Sequence, residues 1–548
     1  MGSGTWFGWA VRWWFGFWFG PTGCSVSVWL VWLGLVGATA GFITRYGQNI
    51  PSWEEWVFLP GLLGERSRLG WVFERLQEHR YPLGRAASLG LFELCGHDFR
   101  AGMYACGVIL AAAAAVLLRA AAAVRGRNDY PDILIPALIL NPGGYENLIL
   151  AYQLPFALDV LLAATLVRSA ANPSLAGWRI LTDAAVVALL ALGGWIGLAF
   201  VPGGLVWVVW RAWGWYRRGG SVVHAVGMCL PVVVAAVYFA WCYWEVRVNP
   251  LPGATANGPT AAVRVAAEFL SGAVGTVAWE GWPWSAACGV GLFGFTTAAL
   301  IRDMVARPDR RGTAAGWLAV LSAVALMGYG LAQRRPNGFA VRNLPFVALV
   351  SVLAQLVVTR WAARQFAAVR ITGAVIALPL AVFVYWHGWR SGVDSASPHW
   401  ERNEQFDRDR QAGLPLNFLA SRYQMFPLPE LRDSVRLLRD HGHPAATGIP
   451  DPPPVRGEPL AVPPPTREPV PGDPFRAAIQ GTPRVWKFDL GSERAIVGVR
   501  VRVHYHGNST GVPMHVLWTR QGGGVATAGC RPWMTPFSWE FDFPVDDR

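Results

Sequence analysis

Two adjacent carboxylates, Glu54 and Glu55, are the residues in the sequence best suited to acid–base chemistry. They follow closely on the first long apolar segment and are flanked by Trp53 and Trp56. Such a setting just above a bilayer is partly dehydrated, and dehydration raises the pKa of a carboxyl group toward neutral pH. One of the pair can then accept a proton as a general base. The alternative is two solvated acids in a loop.

The composition indicates that lipid surrounds most of the elements that position this pair. Apolar and aromatic residues make up 53% of the 548, only 15% are charged, and the mean hydropathy is +0.30. A soluble domain has about a quarter charged residues. The pattern predicts a mainly α protein, a polytopic transmembrane helical bundle of about eleven spans. The predicted spans lie near 26–44, 102–122, 132–147, 148–168, 180–198, 199–216, 221–244, 283–301, 313–332, 344–360 and 368–388.

The placement of arginine predicts which way the bundle faces. Every short connection on one side of the predicted bundle is basic, whereas 141–147 and 200–204 on the other side have no basic residue. By the positive-inside rule the N-terminus is cytoplasmic, and the long segments 45–101, 245–282 and 389–548 are extracytoplasmic. This indicates an integral protein of a bacterial cytoplasmic membrane. A group of three arginines breaks the rule on the outer side, namely Arg334, Arg335 and Arg342.

The regions that flank the predicted bundle differ in character. Residues 1–25 form an aromatic N-terminal segment, and 391–448 are predicted to be an extracytoplasmic helical segment with an amphipathic helix from Pro429 to Gly442. Residues 449–474 are a proline-rich linker. Apolar residues then alternate with polar ones, as in Val499, Val501 and Val503, which predicts a small all-β, sandwich-like domain over 475–548.

The carboxylate segment resembles a motif of a known family. Pro51-Ser-Trp-Glu54-Glu55-Trp56 is similar to the acidic motif that GT-C superfamily glycosyltransferases place in the first outer loop, directly after the first span. Glu78-His79-Arg80 with Arg85 resembles the Glu-His-Arg segment that follows it in bacterial GT-C-like proteins. The resemblance covers about 25–390. Glu54 stands where aspartate is common in the family, which leaves the base open between Glu54 and Glu55.

The resemblance implies a membrane glycosyltransferase that uses a polyprenyl-phosphate sugar. A carboxylate would deprotonate a hydroxyl of a glycan, lipid or protein acceptor as that oxygen attacks the anomeric carbon. Fixed positive charge would stabilise the phosphate leaving group. The implied substrate- or phosphate-binding residues are Glu78, His79, Arg80, Arg85, Arg334, Arg335 and Arg342. Arg334 and Arg335 have an equal alternative role as interfacial arginines. Some such enzymes use a divalent metal, for which the sequence offers no ligand cluster.

The predicted β domain resembles a second family. Trp486-Lys-Phe-Asp489-Leu490-Gly491 and the following Ile496-x-Gly498 are similar to the start of discoidin-type, galactose-binding-like sandwiches. The resemblance implies glycan binding by Trp486, His504 and His506. The domain is shorter than those sandwiches usually are, and ordinary strand packing is the alternative explanation for these residues.

Ionisable residues inside predicted spans are costly in lipid and therefore need an explanation. Asp159 is expected to face the bundle interior and pair with a neighbour, and Asp183 to lie near the inner end of its span. Tyr145 and Glu146 lie at a predicted outer tip, where they can line the same cavity as the first loop.

Other classes of function remain open at this point. A secondary transporter would have broken helices and coupling acids at mid-membrane, and Asp159 fits that description. A non-catalytic membrane scaffold would depend on a glycan-binding β domain, and an O-antigen polymerase or ligase would place its large loop late in the chain. The arginines are spread along the chain and no phosphate-binding glycine loop is present, so neither nucleic acid nor a nucleotide sugar is expected.

Overall fold

The computed structural model of the chain describes residues 20–76, 80–248, 258–335, 337–362, 367–413, 419 and 428–450, together with six strands between 466 and 544. The chain forms two compact units, Met1–Glu404 and Gln405–Arg548.

The first unit is built from helices. The helices of its first half are α1 (Pro21–Tyr46), α2 (Glu55–Leu62), α3 (Arg68–Phe73), α4 (Pro82–Leu94), α5 (Phe99–Arg125), α6 (Leu134–Ile139), α7 (Glu146–Ile149), α8 (Leu154–Ala171) and α9 (Gly177–Ala191). Those that follow are α10 (Trp195–Leu198), α11 (Phe200–Tyr216), α12 (Val222–Val248), α13 (Pro259–Ser271), α14 (Val277–Glu280), α15 (Trp284–Ala306), α16 (Arg311–Arg334), α17 (Leu344–Ala362) and α18 (Ala367–Gln411), the last of which crosses the boundary between the units.

Eight helical stretches among the described residues are long and apolar enough to cross a membrane. They are Thr22–Tyr46, Phe99–Arg125, Ala151–Ala171, Trp195–Tyr216, Val222–Val248, Trp284–Ala306, Pro308–Gln333 and Val341–Trp361. The prediction of a mainly helical, membrane-spanning protein is confirmed, and the chain is an integral membrane protein. The predicted count of about eleven is higher because of three segments: 132–147, 180–198 and 368–388.

The predicted span 132–147 is not one helix, and that prediction is wrong. The segment consists of a 3-10 turn at Tyr130–Ile133, then α6, a second 3-10 turn at Pro142–Gly144, and α7. Lipid does not tolerate such interrupted backbone, because unpaired N–H and C=O groups find no water there. Here the segment is packed against α5 and α17, and nearly all of its side chains from Ile133 to Leu150 are buried. Protein therefore replaces lipid around it.

The predicted spans 180–198 and 199–216 form a helical hairpin whose turn is earlier than expected. Helix α9 ends at Ala191, and Gly194 has a left-handed φ of 114° in the turn. The predicted connection 200–204 instead begins α11, because proline is tolerated in the first turn of a helix. A Cβ on Gly203 would lie 2.5 Å from Ser322 Oγ, so this glycine permits close helix packing.

The two predicted intramembrane acids are both buried. Asp159 accepts a hydrogen bond from the backbone N–H of Gly197, so it caps the start of the second arm of the hairpin. Asp183 forms an ion pair with Arg211, which also donates to the carbonyl oxygen of Ser174. Each acid therefore has a structural partner, as a charge inside a bundle requires.

The predicted span 368–388 lies within α18, a helix of 45 residues. Its first turns, up to residue 374, have side chains outside the described set. At 1.5 Å per residue the helix is about 67 Å long, roughly twice the hydrocarbon thickness of a bilayer. One helix therefore supplies both an apolar segment and a polar continuation beyond it.

The bundle has two chemically different ends. We call the end that carries 47–98, 141–152 and 335–343 the loop end, and the end that carries Arg125, Arg211 and Arg310 the basic end. At the basic end Asp132 is fully buried and pairs with Arg125, and Gln355 Nε2 donates to its other oxygen at 2.9 Å. This network joins α5, the 3-10 turn at Tyr130–Ile133 and α17.

The second unit contains α19 (Leu428–Asp440), with Val435 and Leu438 buried and Gly442 at a left-handed φ of 66° just beyond it. The predicted amphipathic helix is confirmed. The six strands are β1 (Thr466–Arg467), β2 (Trp486–Lys487), β3 (Gly498–His504), β4 (Met514–Thr519), β5 (Val525–Cys530) and β6 (Ser538–Pro544). They pair antiparallel as β1 with β2, β3 with β6 and β4 with β5. A sandwich made of these pairs stays a prediction.

We expect Asp132→Ala to lower the free energy of unfolding by about 3–5 kcal/mol, because it leaves the buried charge of Arg125 without its partner. Thermal unfolding in detergent would measure the change. Glu74→Ala is the matched control: it removes one partner of the exposed Arg66–Glu74 pair, and the expected loss is about 0–1 kcal/mol. Equal effects of the two substitutions would show that the network at the basic end does not stabilise the bundle.

Candidate functional site

The acidic motif forms a tight turn at the loop end, directly after α1. The backbone N–H of Ser52 donates to Glu55 Oε2 at 2.7 Å, and the N–H of Glu55 donates to the carbonyl oxygen of Ser52 at 3.1 Å. These two hydrogen bonds close the turn that leads into α2, whose first residue is Glu55. Between Ser52 and Glu55, Trp53 has a left-handed φ of 54°, which is unusual for a bulky residue and marks a strained position.

Glu55 anchors this turn to the bundle. Its side chain is 2% exposed, and its Oε1 accepts a hydrogen bond of 3.2 Å from the backbone N–H of Tyr152, at the start of the α8 region. Burial raises the pKa of Glu55 to about 8, against the opposing effect of the backbone hydrogen bonds from Ser52 and Tyr152. The carboxyl group therefore joins two segments that are far apart in the chain.

Glu55 also lines a small cavity with Phe58, Leu91, Phe92 and Tyr152. The cavity has a volume of about 30 Å³. That is room for about two water molecules, and far less than a sugar ring requires. Glu55 therefore faces a space for solvent, and no substrate-sized volume adjoins it there.

Glu54 points into a different environment. It is partly exposed, and it interacts electrostatically with Arg342 and with Tyr152. Arg342 interacts in the same way with Glu146 and with Tyr81. One guanidinium group thus lies within range of two carboxylates and two phenols, all at the loop end. The structure brings together Glu54 and Arg342, which the sequence analysis singled out separately, and the outer-tip residue Glu146 joins them.

The backbone around Arg342 is held on both sides. Its carbonyl oxygen accepts a hydrogen bond of 3.0 Å from Asn147 Nδ2. Asn147 belongs to the stretch of short helices and 3-10 turns from Tyr130 to Leu150, which we call the interrupted segment. Four residues before Arg342, the N–H of Gly338 donates to the buried carboxylate of Glu268 at 2.9 Å. A Cβ on Gly338 would lie 2.1 Å from the carbonyl oxygen of Val265, so only glycine permits this approach to α13.

Burial raises the pKa of Glu146, and the nearby positive charge of Arg342 lowers it. Burial also raises the pKa of its neighbour Tyr145 to about 12. The tip of the interrupted segment is therefore a poorly hydrated place next to a positive charge.

Two of the predicted phosphate ligands are engaged within the protein. Arg80 forms a two-pronged ion pair with Glu245, at 3.0 Å and 2.7 Å, and its guanidinium lies 4.8 Å from the ring centre of Trp241. The hydrogen bonds that Arg80 donates to Glu245 raise the pKa of Arg80. This pair fastens the first loop to α12.

Arg85 is 2% exposed and binds the first loop to itself. It donates to the carbonyl oxygens of Trp71 and of Glu74, the latter at 2.7 Å, and it lies over the rings of Phe58, Trp71 and Tyr81. Burial lowers the pKa of Arg85. Its contacts are those of a structural residue, so we leave it out of the candidate site.

Several other predicted site residues remain predictions. Glu78, His79 and His506 lie outside the described residues, as do the side chains of Arg334, Trp486 and His504. Arg335 is partly exposed just after α16. Within the described ranges no group of three or more His, Cys, Asp or Glu side chains could hold a metal ion.

The sequence analysis missed residues that act through their backbone or amide groups. Tyr152 offers a backbone N–H to Glu55, and Asn147 fixes the carbonyl oxygen of Arg342. No pattern in the sequence marks either contact, because both are long-range. The Ser-x-x-Glu spacing at Ser52 and Glu55 is a signal of helix capping and would have identified Glu55 as an anchor.

Comparison with models of known protein families and with curated proteins gives no match to this chain. Its function is therefore inferred from the geometry and charge of the site itself.

The raised pKa of Glu55 predicts how pH changes stability. Between about pH 4.5 and 8 the carboxyl group ionises in the unfolded chain but stays protonated in the folded one, so the free energy of unfolding falls as pH rises. Relative to Glu55→Gln, which has no such titration, wild type should lose up to about 5 kcal/mol across this window. Thermal unfolding in detergent from pH 5 to 9 measures the difference.

Glu65→Gln, an exposed substitution in the same loop, is the control and should follow wild type at every pH. A wild-type-to-Glu55→Gln difference that stays constant from pH 5 to 9 would contradict the burial of this carboxyl group.

Proposed function

We propose that this protein is a membrane glycosyltransferase of GT-C type, which transfers a sugar from a polyprenyl-phosphate donor to an acceptor on the outer face of the membrane. One observation carries the proposal: Glu54 and Arg342, far apart in the chain, share one electrostatic environment at the loop end of an apolar bundle. A carboxylate and a guanidinium within electrostatic range of one site are the two groups that such a transfer needs.

Glu54 is the better candidate for the base. Both oxygens of Glu55 accept backbone hydrogen bonds, and the cavity beside it is of water size. Glu54 is partly exposed and interacts electrostatically with Arg342. Glu55 then has the separate task of holding the turn in which Glu54 lies.

Glu54 and Arg342 have separate roles in the proposed transfer. The acceptor oxygen attacks the anomeric carbon while Glu54 takes the proton of the acceptor hydroxyl. The bond from the anomeric carbon to the phosphate oxygen breaks, and both its electrons leave with polyprenyl phosphate. Arg342 offers a fixed positive charge to the phosphate as that negative charge develops. Glu146, in range of Arg342, limits how strongly the leaving phosphate is retained.

The surroundings suit a lipid-borne donor. The cluster around Arg342 lies at one end of a bundle of apolar helices, and helices of this kind share the bilayer with polyprenyl chains. On this proposal the N-terminus is cytoplasmic and the loop end extracytoplasmic, in a bacterial cytoplasmic membrane. The 475–548 domain would bind glycan through Trp486, His504 and His506.

A secondary transporter is the second candidate, because one observation favours it. The interrupted segment between Tyr130 and Ile149 resembles the discontinuous helices that line transporter sites, and Asp159 is a buried acid beside the turn at Gly194. A transporter would not need Glu54, whereas an uptake or exchange activity would depend on Asp159. A non-catalytic scaffold would need neither residue.

The test is transfer from radiolabelled polyprenyl-phosphate sugars to envelope extract by the purified full-length protein in detergent. Glu54→Gln should lower the transfer rate by about 10²- to 10⁴-fold, because it removes the base while keeping the shape of the side chain. Glu65→Gln, an exposed glutamate in the same loop, should retain full activity. Wild type that transfers from no donor, or a Glu54→Gln protein as active as wild type, would reject the proposal.

A further inference from the structure

The C-terminal half of α18 contacts the acidic motif directly. His399 Nε2 lies 3.2 Å from Ser52 Oγ, and Asn403 Nδ2 donates to the same oxygen at 3.3 Å. His399 and Asn403 are four residues apart, so they project from one face of the helix. A single hydroxyl group thus meets two side chains from a helix nearly 350 residues further along the chain.

The three groups form a consistent chain of donors and acceptors. Burial, with a smaller effect from Arg402, lowers the pKa of His399 to about 4, so its ring is neutral at neutral pH and Nε2 can accept. Asn403 donates to Ser52 Oγ, and the Ser52 hydroxyl has two acceptors in reach: a neutral His399 Nε2 at 3.2 Å and the carbonyl oxygen of Ile50 at 3.4 Å. The contacts with Asn403 and His399 together fix the orientation of the Ser52 side chain.

Helix α18 also contacts α1, the helix that precedes the acidic turn. Arg45, in the last turn of α1, lies 5.1 Å from the ring centre of Trp400. Phe42 packs edge-to-face against Trp389 at 5.8 Å between ring centres. Helix α18 therefore runs beside the end of α1, and the acidic turn follows from α1 within a few residues.

The consequence concerns the direction of Glu54. Ser52 is bonded to α18 through its side chain and to Glu55 through its backbone, and Trp53 between Ser52 and Glu54 is in a left-handed conformation. A left-handed tryptophan persists only where its surroundings hold it. We propose that His399 and Asn403 are positioning residues that grip Ser52 and thereby direct Glu54 toward Arg342. The role of Glu54 as base rests on the proposed function, whereas the grip on Ser52 does not.

Amide hydrogen exchange in the full-length protein tests the grip without any substrate. In Ser52→Ala and in Asn403→Ala, exchange in peptides covering 50–58 should rise about tenfold, the effect of one or two lost hydrogen bonds. Ser52→Thr keeps the hydroxyl and should exchange as wild type does. Glu401→Ala, an exposed substitution on the same helix, should leave these peptides unchanged.

A double-mutant cycle gives the sharper result. Since Ser52→Ala already removes the contact with Asn403, Ser52→Ala with Asn403→Ala should exchange no faster than Ser52→Ala alone. Additive effects of the two substitutions, or unchanged exchange in both, would overturn the proposal. Should Ser52→Ala fail to fold, His399→Ala with Asn403→Ala removes both partners that α18 offers to Ser52 Oγ and should exchange faster than either single variant; unchanged exchange would overturn the proposal.

Transfer kinetics then separate positioning from binding. Ser52→Ala and Asn403→Ala should lower kcat with little change in KM for the donor, since Arg342 is untouched, and Ser52→Thr should restore kcat. A rise in KM with unchanged kcat would contradict a positioning role. Wild type that shows coupled exchange but no transfer from any donor would reject the proposed function and leave the grip on Ser52 established.

Discussion

A backbone amide or carbonyl group inside a bilayer must find its hydrogen-bond partner within the protein, and the interrupted segment from Tyr130 to Leu150 is where this constraint shapes the molecule. Helices α5 and α17 cover the segment, and at its basic end the buried network around Asp132 ties it to both. Protein contacts thus replace the regular hydrogen bonds of a single helix. The arrangement allows non-helical backbone to reach the loop end, where it presents Tyr145, Glu146 and Asn147.

The site depends on what this segment delivers. At its tip, Glu146 interacts electrostatically with Arg342, and the Asn147 side-chain amide donates to the Arg342 carbonyl oxygen. Just beyond the tip, the backbone N–H of Tyr152 donates to Glu55. The first loop, the α16–α17 connection and the interrupted segment therefore meet at one place. Glu55 is buried where it holds them, whereas the neighbouring Glu54 is partly exposed. Two adjacent carboxylates acquire different tasks because one is buried and the other is not.

The sequence predicted the parts of this account that depend on composition and local pattern. Apolar runs indicated the spanning helices, and the Glu54–Glu55 pair and Arg342 were singled out by residue type and position. The predictions from sequence were wrong where tertiary packing determines the local structure. Hydrophobicity cannot distinguish a lipid-facing helix from the protein-covered segment at 132–147, and it placed the hairpin turn at Pro202-Gly203-Gly204, where the glycines instead permit close helix packing. The sequence also did not reveal the partners of Arg80 and Arg85, since Glu245 and the Trp71 carbonyl oxygen come close to them only in the fold; phosphate binding by these arginines stays a prediction.

The central claim is that the charge of Arg342 makes the loop end a site for a lipid-borne phosphate. The most direct measurement is the unfolding temperature of the full-length protein in detergent with polyprenyl phosphate and, separately, with the uncharged polyprenol. Polyprenyl phosphate should raise the unfolding temperature of wild type more than polyprenol does, and Arg342→Gln should abolish that difference, while Arg66→Gln at an exposed ion pair retains it. Equal stabilisation by the two lipids, or a phosphate effect that survives Arg342→Gln, would contradict the account.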